Sequence, residues 1–186
     1  MKVRLLLVLF IFLLPLCASA QQNDRVEAFG GYSYTGYSIY DLYSGPWERF
    51  GYNGWEAAAA VKLVPHLEAE GDFAGGSSSP YGHSSSMHTY MGGPRVSGSF
   101  GKVSVYGHLL FGELSLSVKD FSPSTSSFVT AFGGGAEYWF SRYLGVRVIQ
   151  ADYLHNTNSA ATQGIATSSG ANQFRISTGV VFRFGH

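Results

Sequence analysis

Along residues 174–184 the side chains alternate. Phe174, Ile176, Thr178, Val180, Phe182 and Phe184 fall on one side, Arg175, Ser177, Gly179, Val181 and Arg183 on the other. A period of two is that of an extended strand, whose successive side chains point to opposite faces. Residues 54–63 repeat it, with Trp55, Ala57, Ala59, Val61 and Leu63 opposing Glu56, Ala58, Ala60 and Lys62. The alanine run 57–60 would favour helix in isolation, but here it reads as a thin strand face. Residues 67–73 set Leu67, Ala69, Gly71 and Phe73 against Glu68, Glu70 and Asp72. Weaker alternation at 25–37, 87–97, 102–117, 128–140 and 144–155 brings the predicted strands to eight. The phase slips near Gly112, ahead of Glu113, and near Ile149, ahead of Gln150, which predicts β-bulges.

The segments between strands differ in length in a regular order. Long polar connections are predicted at 38–53, 75–86, 119–127 and 156–171, and short ones at 64–65, 98–101 and 141–143. Alternating long and short connections with an even strand number are the signature of an up-and-down membrane barrel, long loops at one rim and tight turns at the other. Strands of about 9 to 11 residues suffice to cross the hydrocarbon at a tilt. The predicted fold class is therefore all-β, an eight-stranded antiparallel up-and-down transmembrane β-barrel.

The first twenty residues do not belong to this pattern. Lys2 and Arg4 precede an apolar block at 5–16, and Cys17-Ala18-Ser19-Ala20 follows it, the layout of a cleaved signal peptide. The block is shorter than the roughly 20 residues of a spanning helix. Cleavage after Ala20 gives two expected segments, a signal peptide at 1–20 and an outer-membrane barrel at 21–186. The competing reading, a lipid anchor on Cys17, meets Leu16 where a small residue is wanted. Cleavage at Ala20 removes two of the 12 basic residues and none of the acidic ones, so no basic stripe suits nucleic acid. It also removes the only cysteine, so stability has to come from packing or from closure of the sheet.

The faces that exclude Phe174, Trp55 and their neighbours carry both signs of charge. The acids are Glu27, Glu56, Glu68, Glu70, Asp72 and Glu137, and the bases Lys62, Arg95, Arg147, Arg175 and Arg183. A membrane barrel turns such charges inward, and eight strands leave room for little more than side chains, which argues against a diffusion pore. The expected lumen network is Glu56, Lys62, Glu68, Glu70, Arg95, Glu137, Arg147 and Arg175, in a structural role, with Arg175 and Arg183 near the ends of their strand. Tyr32, Tyr34, Trp55, Tyr138, Phe140, Phe182 and Phe184 fall near strand ends, as interfacial girdles would.

Several phrases, in this order, resemble bacterial outer-membrane β-barrels of the OmpA-like transmembrane type, in particular stand-alone members without a periplasmic domain. They are Asn53-Gly54-Trp55-Glu56, Gly93-Pro94-Arg95, His108-Leu109-Leu110-Phe111-Gly112, Gly133-Gly134-Gly135, Arg147 with Gln150-Ala151-Asp152-Tyr153, and the run from Arg175 to Gly185. The resemblance covers nearly all of residues 21–186. It implies location in the outer membrane of a Gram-negative envelope, among its lipid and lipopolysaccharide. It also implies assembly by the barrel-insertion machinery, which reads a last strand such as that carrying Val180, Phe182 and Phe184. In this chain Gly185-His186 follow the final aromatic, a departure from that pattern.

Candidate chemistry is sparse. Some small barrels act on lipid A through a His-x-Ser pair with an acid, and the nearest match, His155-Asn156-Thr157, has Thr for Ser and no acid in place. His66, His83, His88 and His108 lack metal-ligand spacing, and His108 reads as a lumen filler beside Tyr106. The glycine pairs and the 133–135 triplet open no helix and carry no Lys-Ser/Thr, so they read as thin places in a curved sheet rather than phosphate loops. The expectation is a non-enzymatic barrel without cofactor or metal, structural or adhesin-like, meeting an extracellular ligand at its loops. The alternatives are a lipid A-modifying enzyme and a soluble periplasmic carrier of lipocalin-like shape.

Overall fold

A strand with hydrogen-bonding groups on both edges is fully satisfied only between two neighbours, and a closed ring gives every strand two. In the computed structural model, which describes residues 26–40, 47–79, 84–118, 125–156 and 172–185, eight strands close in this way. They are β1 (Val26–Tyr40), β2 (Trp47–Val64), β3 (Leu67–Ser78), β4 (Ser85–Phe100), β5 (Val103–Val118), β6 (Thr125–Trp139), β7 (Leu144–Asn156) and β8 (Asn172–Phe184). Each pairs antiparallel with the next, and β8 returns to β1 along a seam from Val26↔Phe184 to Tyr37↔Gln173. The predicted signal peptide with Cys17, and residues His83 and Thr157, lie outside the described residues.

The register fixes the shape. Followed across the strands from Asn172 through His155, Thr130, Phe111, Gly92, Gly71, Ala59 and Ala28, it returns to β8 at Phe182, ten residues along. A stagger of that size tilts the strands by roughly 40° to the barrel axis. The three short turns share one rim. At Pro65-His66 the backbone of His66 takes a φ of 71°, with ring Nδ1 3.0 Å from the Ser97 carbonyl. Gly101 supplies the positive φ of the second turn, and in the third Ser141 Oγ accepts from the N–H groups of Tyr143 and Leu144.

Three expectations change. The strands run 12 to 18 residues rather than 9 to 11, because the hairpins continue beyond the membrane-sized segment. Most of the predicted first loop is therefore strand, with β1 and β2 still paired at Tyr40↔Trp47. At Gly112 there is no bulge: it stays in register with Met91 and Val129, and Glu113 is an ordinary outward residue beside Tyr90 and Phe128. The slip at Ile149 is real. Ala136 pairs Ile149 while Glu137 pairs Arg147, so Val148 is the extra residue, Val148 and Ile149 both face out, and Gln150 turns back inward.

The outward face is uncharged over almost its whole extent. Among strand residues 26–36, 51–78, 85–117, 126–139, 144–156 and 173–184 only Glu113 brings a carboxylate to it, and no Lys or Arg does. Ala28, Gly30, Ala57, Ala59, Ala69, Gly71, Val105, Ile176 and Val180 form the smooth middle. Phe100, Phe140, Tyr143 and Phe184 ring the turn rim, and Tyr34, Trp55, Phe73, Tyr90, Phe128 and Tyr153 ring the other. Neighbouring rings touch edge-on, Tyr138 with Phe140 and Phe73 with Tyr90.

Candidate functional site

The inward residues form layers. Nearest the loop rim, Tyr52, Met87, Met91, Leu110, Leu114, Val129, Ala131 and Leu154 pack into one apolar cluster across the lumen. Nothing in the sequence reading anticipated this layer. Two polar side chains enter it from opposite walls, Thr89 on β4 and Gln173 on β8, each at most 2 % exposed. Thr89 Oγ1 and both amide atoms of Gln173 find no hydrogen-bond partner.

Below lies the charge. Arg175, expected near a strand end, is 1 % exposed and central, because β1 continues past its partner Thr35 to Tyr40 and raises the wall around it. Its guanidinium donates to Asp72 as a fork, at 2.8 and 3.2 Å, and to Asp152 Oδ2 at 2.7 and 2.9 Å. Such two-pronged pairs are the strong form of ionic hydrogen bond. His108 bridges two acids, Nδ1 2.8 Å from Glu70 Oε2 and Nε2 2.9 Å from Asp152 Oδ1. A neutral ring has only one N–H, so this trio holds one extra proton, on the ring or on an acid beside it. Gly133 makes the room: a Cβ there would stand 2.2 Å from Asp152 Oδ1.

Gln150 joins this upper tier to the lower one. Its amide N donates to Glu56 and Asp152, and its oxygen accepts from Tyr106 and Arg147. Arg147 also donates to Glu137 Oε1 at 3.0 Å, and Arg95 ties Glu27, Glu68 and Glu137 together within 3.3 Å. Arg183 closes the tier on Glu27. The cations also lie over aromatic faces: Arg95 over Tyr106, Arg147 over Phe29, and Arg183 over Trp139 at 3.6 Å. Attraction of a cation to a ring face strengthens once water is excluded.

Seven of the eight expected network residues, Glu56, Glu68, Glu70, Arg95, Glu137, Arg147 and Arg175, meet in this lumen. Lys62 does not join them. It is half-buried where β2 reaches the turn rim, lines a cavity of about 50 Å³ with Glu68, Arg95 and Glu137, and makes none of the ion pairs among the described residues. The parity of β2 aims Lys62 inward, but at the mouth solvent competes for it. Glu27, Asp72 and Arg183, read as inward charges but left out of the expected set, belong to the network. Asp152 and Gln150 were missed because the Val148 bulge interrupts the alternation ahead of them. The restart at Gln150, Asp152 and Leu154 was the available signal. His108 bridges Glu70 and Asp152 rather than serving as filler. His155 lies exposed on the outer side of β7, away from the carboxylates of the lumen, and no group of three or more possible metal ligands occurs among the described residues. Val180, Phe182 and Phe184 face outward, 40 to 55 % exposed.

No protein-family profile matches the chain, and no curated protein is significantly similar to it. Solved structures do share its fold. Neisserial surface protein A aligns with a TM-score of 0.61 at 13 % identity, covering 88 % of this chain and 98 % of that one. Ail, the attachment invasion locus protein of Yersinia pestis, solved with the heparin analogue sucrose octasulfate, aligns at 0.57 and 15 % identity, covering 88 % and 100 %. The outer membrane protein AlkL, solved in lipid bilayers, aligns at 0.52 and 15 % identity, covering 89 % and 92 %. At these identities the likeness is one of fold, the small eight-stranded barrel.

Proposed function

We propose that the chain is an integral outer-membrane barrel with a structural or surface-interaction role, its lumen plugged and its loops turned to the outside. The observation that carries this reading is the separation of charge among the strand residues 26–36, 51–78, 85–117, 126–139, 144–156 and 173–184: seven carboxylates and four arginines point into the lumen, while the outer face offers Glu113 alone. In water an apolar surface of that extent would aggregate, whereas lipid is its natural solvent and charge inside a barrel is its natural counterpart. A soluble lipocalin-like carrier calls for the reverse distribution.

Two further observations support the plugged, non-catalytic form of the reading. The apolar layer at Leu110, Val129 and Leu154 is fully buried and lies across any aqueous path. His108 has both ring nitrogens engaged and sits 4 % exposed, out of reach of a lipid A headgroup. A role at the cell surface accords with the printed names of Neisserial surface protein A and Ail, which belong to those proteins. In this reading Val180, Phe182 and Phe184 form the edge that the insertion machinery recognises, and the surrounding partners are lipid and lipopolysaccharide.

The test is to express the chain with residues 1–20, isolate the outer membrane, and run the protein on a denaturing gel with and without boiling. The expected result is a membrane pool whose mobility shifts on boiling. A soluble periplasmic protein with no shift would overturn the lipid-facing assignment. Cells bearing the inserted barrel, compared with cells lacking it for attachment to sulfated polysaccharide, then test the surface role.

A further inference from the structure

The two charged tiers do not balance. In the lower one, Glu27, Glu68 and Glu137 face Arg95, Arg147 and Arg183, three against three. In the upper one, Glu56, Glu70, Asp72 and Asp152 face Arg175 and the single proton held in the His108 trio, four against two. Arg147 leans toward the upper tier but stays 3.9 Å from Glu56, and Lys62, the only other cation of the lumen among the described residues, stands at the turn-rim mouth. Even with Lys62 included, one carboxylate among the described lumen residues stays uncompensated. An unpaired ionised carboxylate in a low-dielectric interior is costly enough that the group takes up a proton instead.

The hydrogen bonds say which one. Asp72 holds the Arg175 fork, Asp152 has Arg175 on one oxygen and His108 on the other, and Glu70 has His108. Of the four upper-tier acids Glu56 alone is bound only by neutral donors, the Gln150 amide at 2.9 Å and the Ser177 hydroxyl, while Glu68 in the lower tier accepts from Ser97 but has Arg95 Nε at 3.1 Å. The guanidinium nitrogen nearest Glu56, Arg175 Nε, is 3.4 Å away and donates elsewhere. The groups packed around Glu56 are Ser33 from β1, Asp72 from β3, Arg147, Gln150 and Asp152 from β7, and Arg175 and Ser177 from β8. Two of these are further carboxylates. A protonated Glu56 completes the pattern: its O–H donates to Ser177 Oγ, and Ser177 donates on to Ser33 Oγ, 3.3 Å away.

We infer that Glu56 is a carboxylic acid at neutral pH, so that the folded barrel binds one proton in its lumen as a structural ligand. This holds whatever role the loops play, and its test does not depend on that role. In infrared spectra of the full chain refolded in lipid at pH 7, the C=O stretch of a protonated carboxyl is expected. A component of it should be lost in Glu56→Gln and kept in Glu70→Gln. No such band in the unaltered protein, or one left undiminished by Glu56→Gln, overturns the inference. Linkage gives a second readout in the unaltered chain. Between about pH 5 and 6 an unfolded Glu is ionised and an unfolded His still largely protonated, so binding one extra proton in the fold raises the urea-unfolding equilibrium constant by up to about tenfold per pH unit as pH rises. A flat profile in that window overturns the inference even where Glu56→Gln does not fold.

Discussion

The two halves of the lumen have the same wall and opposite contents. On the loop side Leu110, Leu114, Val129 and Leu154 meet side chain to side chain, and on the turn side Arg95, Arg147 and Arg175 meet carboxylates. Both halves are close to fully buried, so burial alone does not dictate polarity inside this barrel. What the interior needs is filling, either by apolar volume or by ionic groups that satisfy one another. The outer face has no such freedom, because a lipid-facing position has to be apolar whatever stands behind it.

The comparison breaks most sharply at Arg175. Arg175→Met should cost about 3–5 kcal/mol, since Asp72 and Asp152 are left buried without their partner; urea unfolding in lipid vesicles measures it. In the other half Leu154→Ala removes volume but strands no charge. A loss toward the lower end of about 2–5 kcal/mol is expected in the same assay. A cost for Leu154→Ala above that for Arg175→Met would mean the apolar layer, not the ionic one, holds the barrel together. Met91→Leu keeps volume and polarity and should shift stability by under about 1.5 kcal/mol. The smallest effect belongs to Lys62→Met, within about 1 kcal/mol, because a half-exposed cation at the mouth is screened by solvent. Lys62→Met sharpens the boundary of the network: a large loss there would return Lys62 to it.

The same comparison explains what the chain disclosed before its structure. Strand β8, β3 and the turn-side part of β2 read cleanly because a charged inner residue alternates with an apolar outer one, as in Phe174-Arg175-Ile176 and Glu68-Ala69-Glu70. In β5 and β6 the alternation fades at Leu109-Leu110-Phe111 and Phe128-Val129, where both faces are apolar. Those are the places where the loop-side layer passes through the wall, so the layer concealed itself in the very signal used to find strands. The apparent slip at Gly112 has the same origin, a small inward residue next to an outward Glu113. Pairing between charges was out of reach altogether. It depends on the ten-residue stagger, which brings Asp72 of β3 to Arg175 of β8, 103 residues away.

The seam between β1 and β8 has a consequence for how the molecule comes into being. Glu27 and Arg183, which meet across it, are 156 residues apart in sequence, so the last link of the ring is among the most distant contacts the chain can make. Contacts of that separation are slow to form, and until they do both flanking strands expose an unpaired edge. Of the eight strands β8 is made last, and the ring closes only when it pairs with β1. Closure of this barrel is therefore a late event in time, in which the edge of the first strand made waits for the edge of the last.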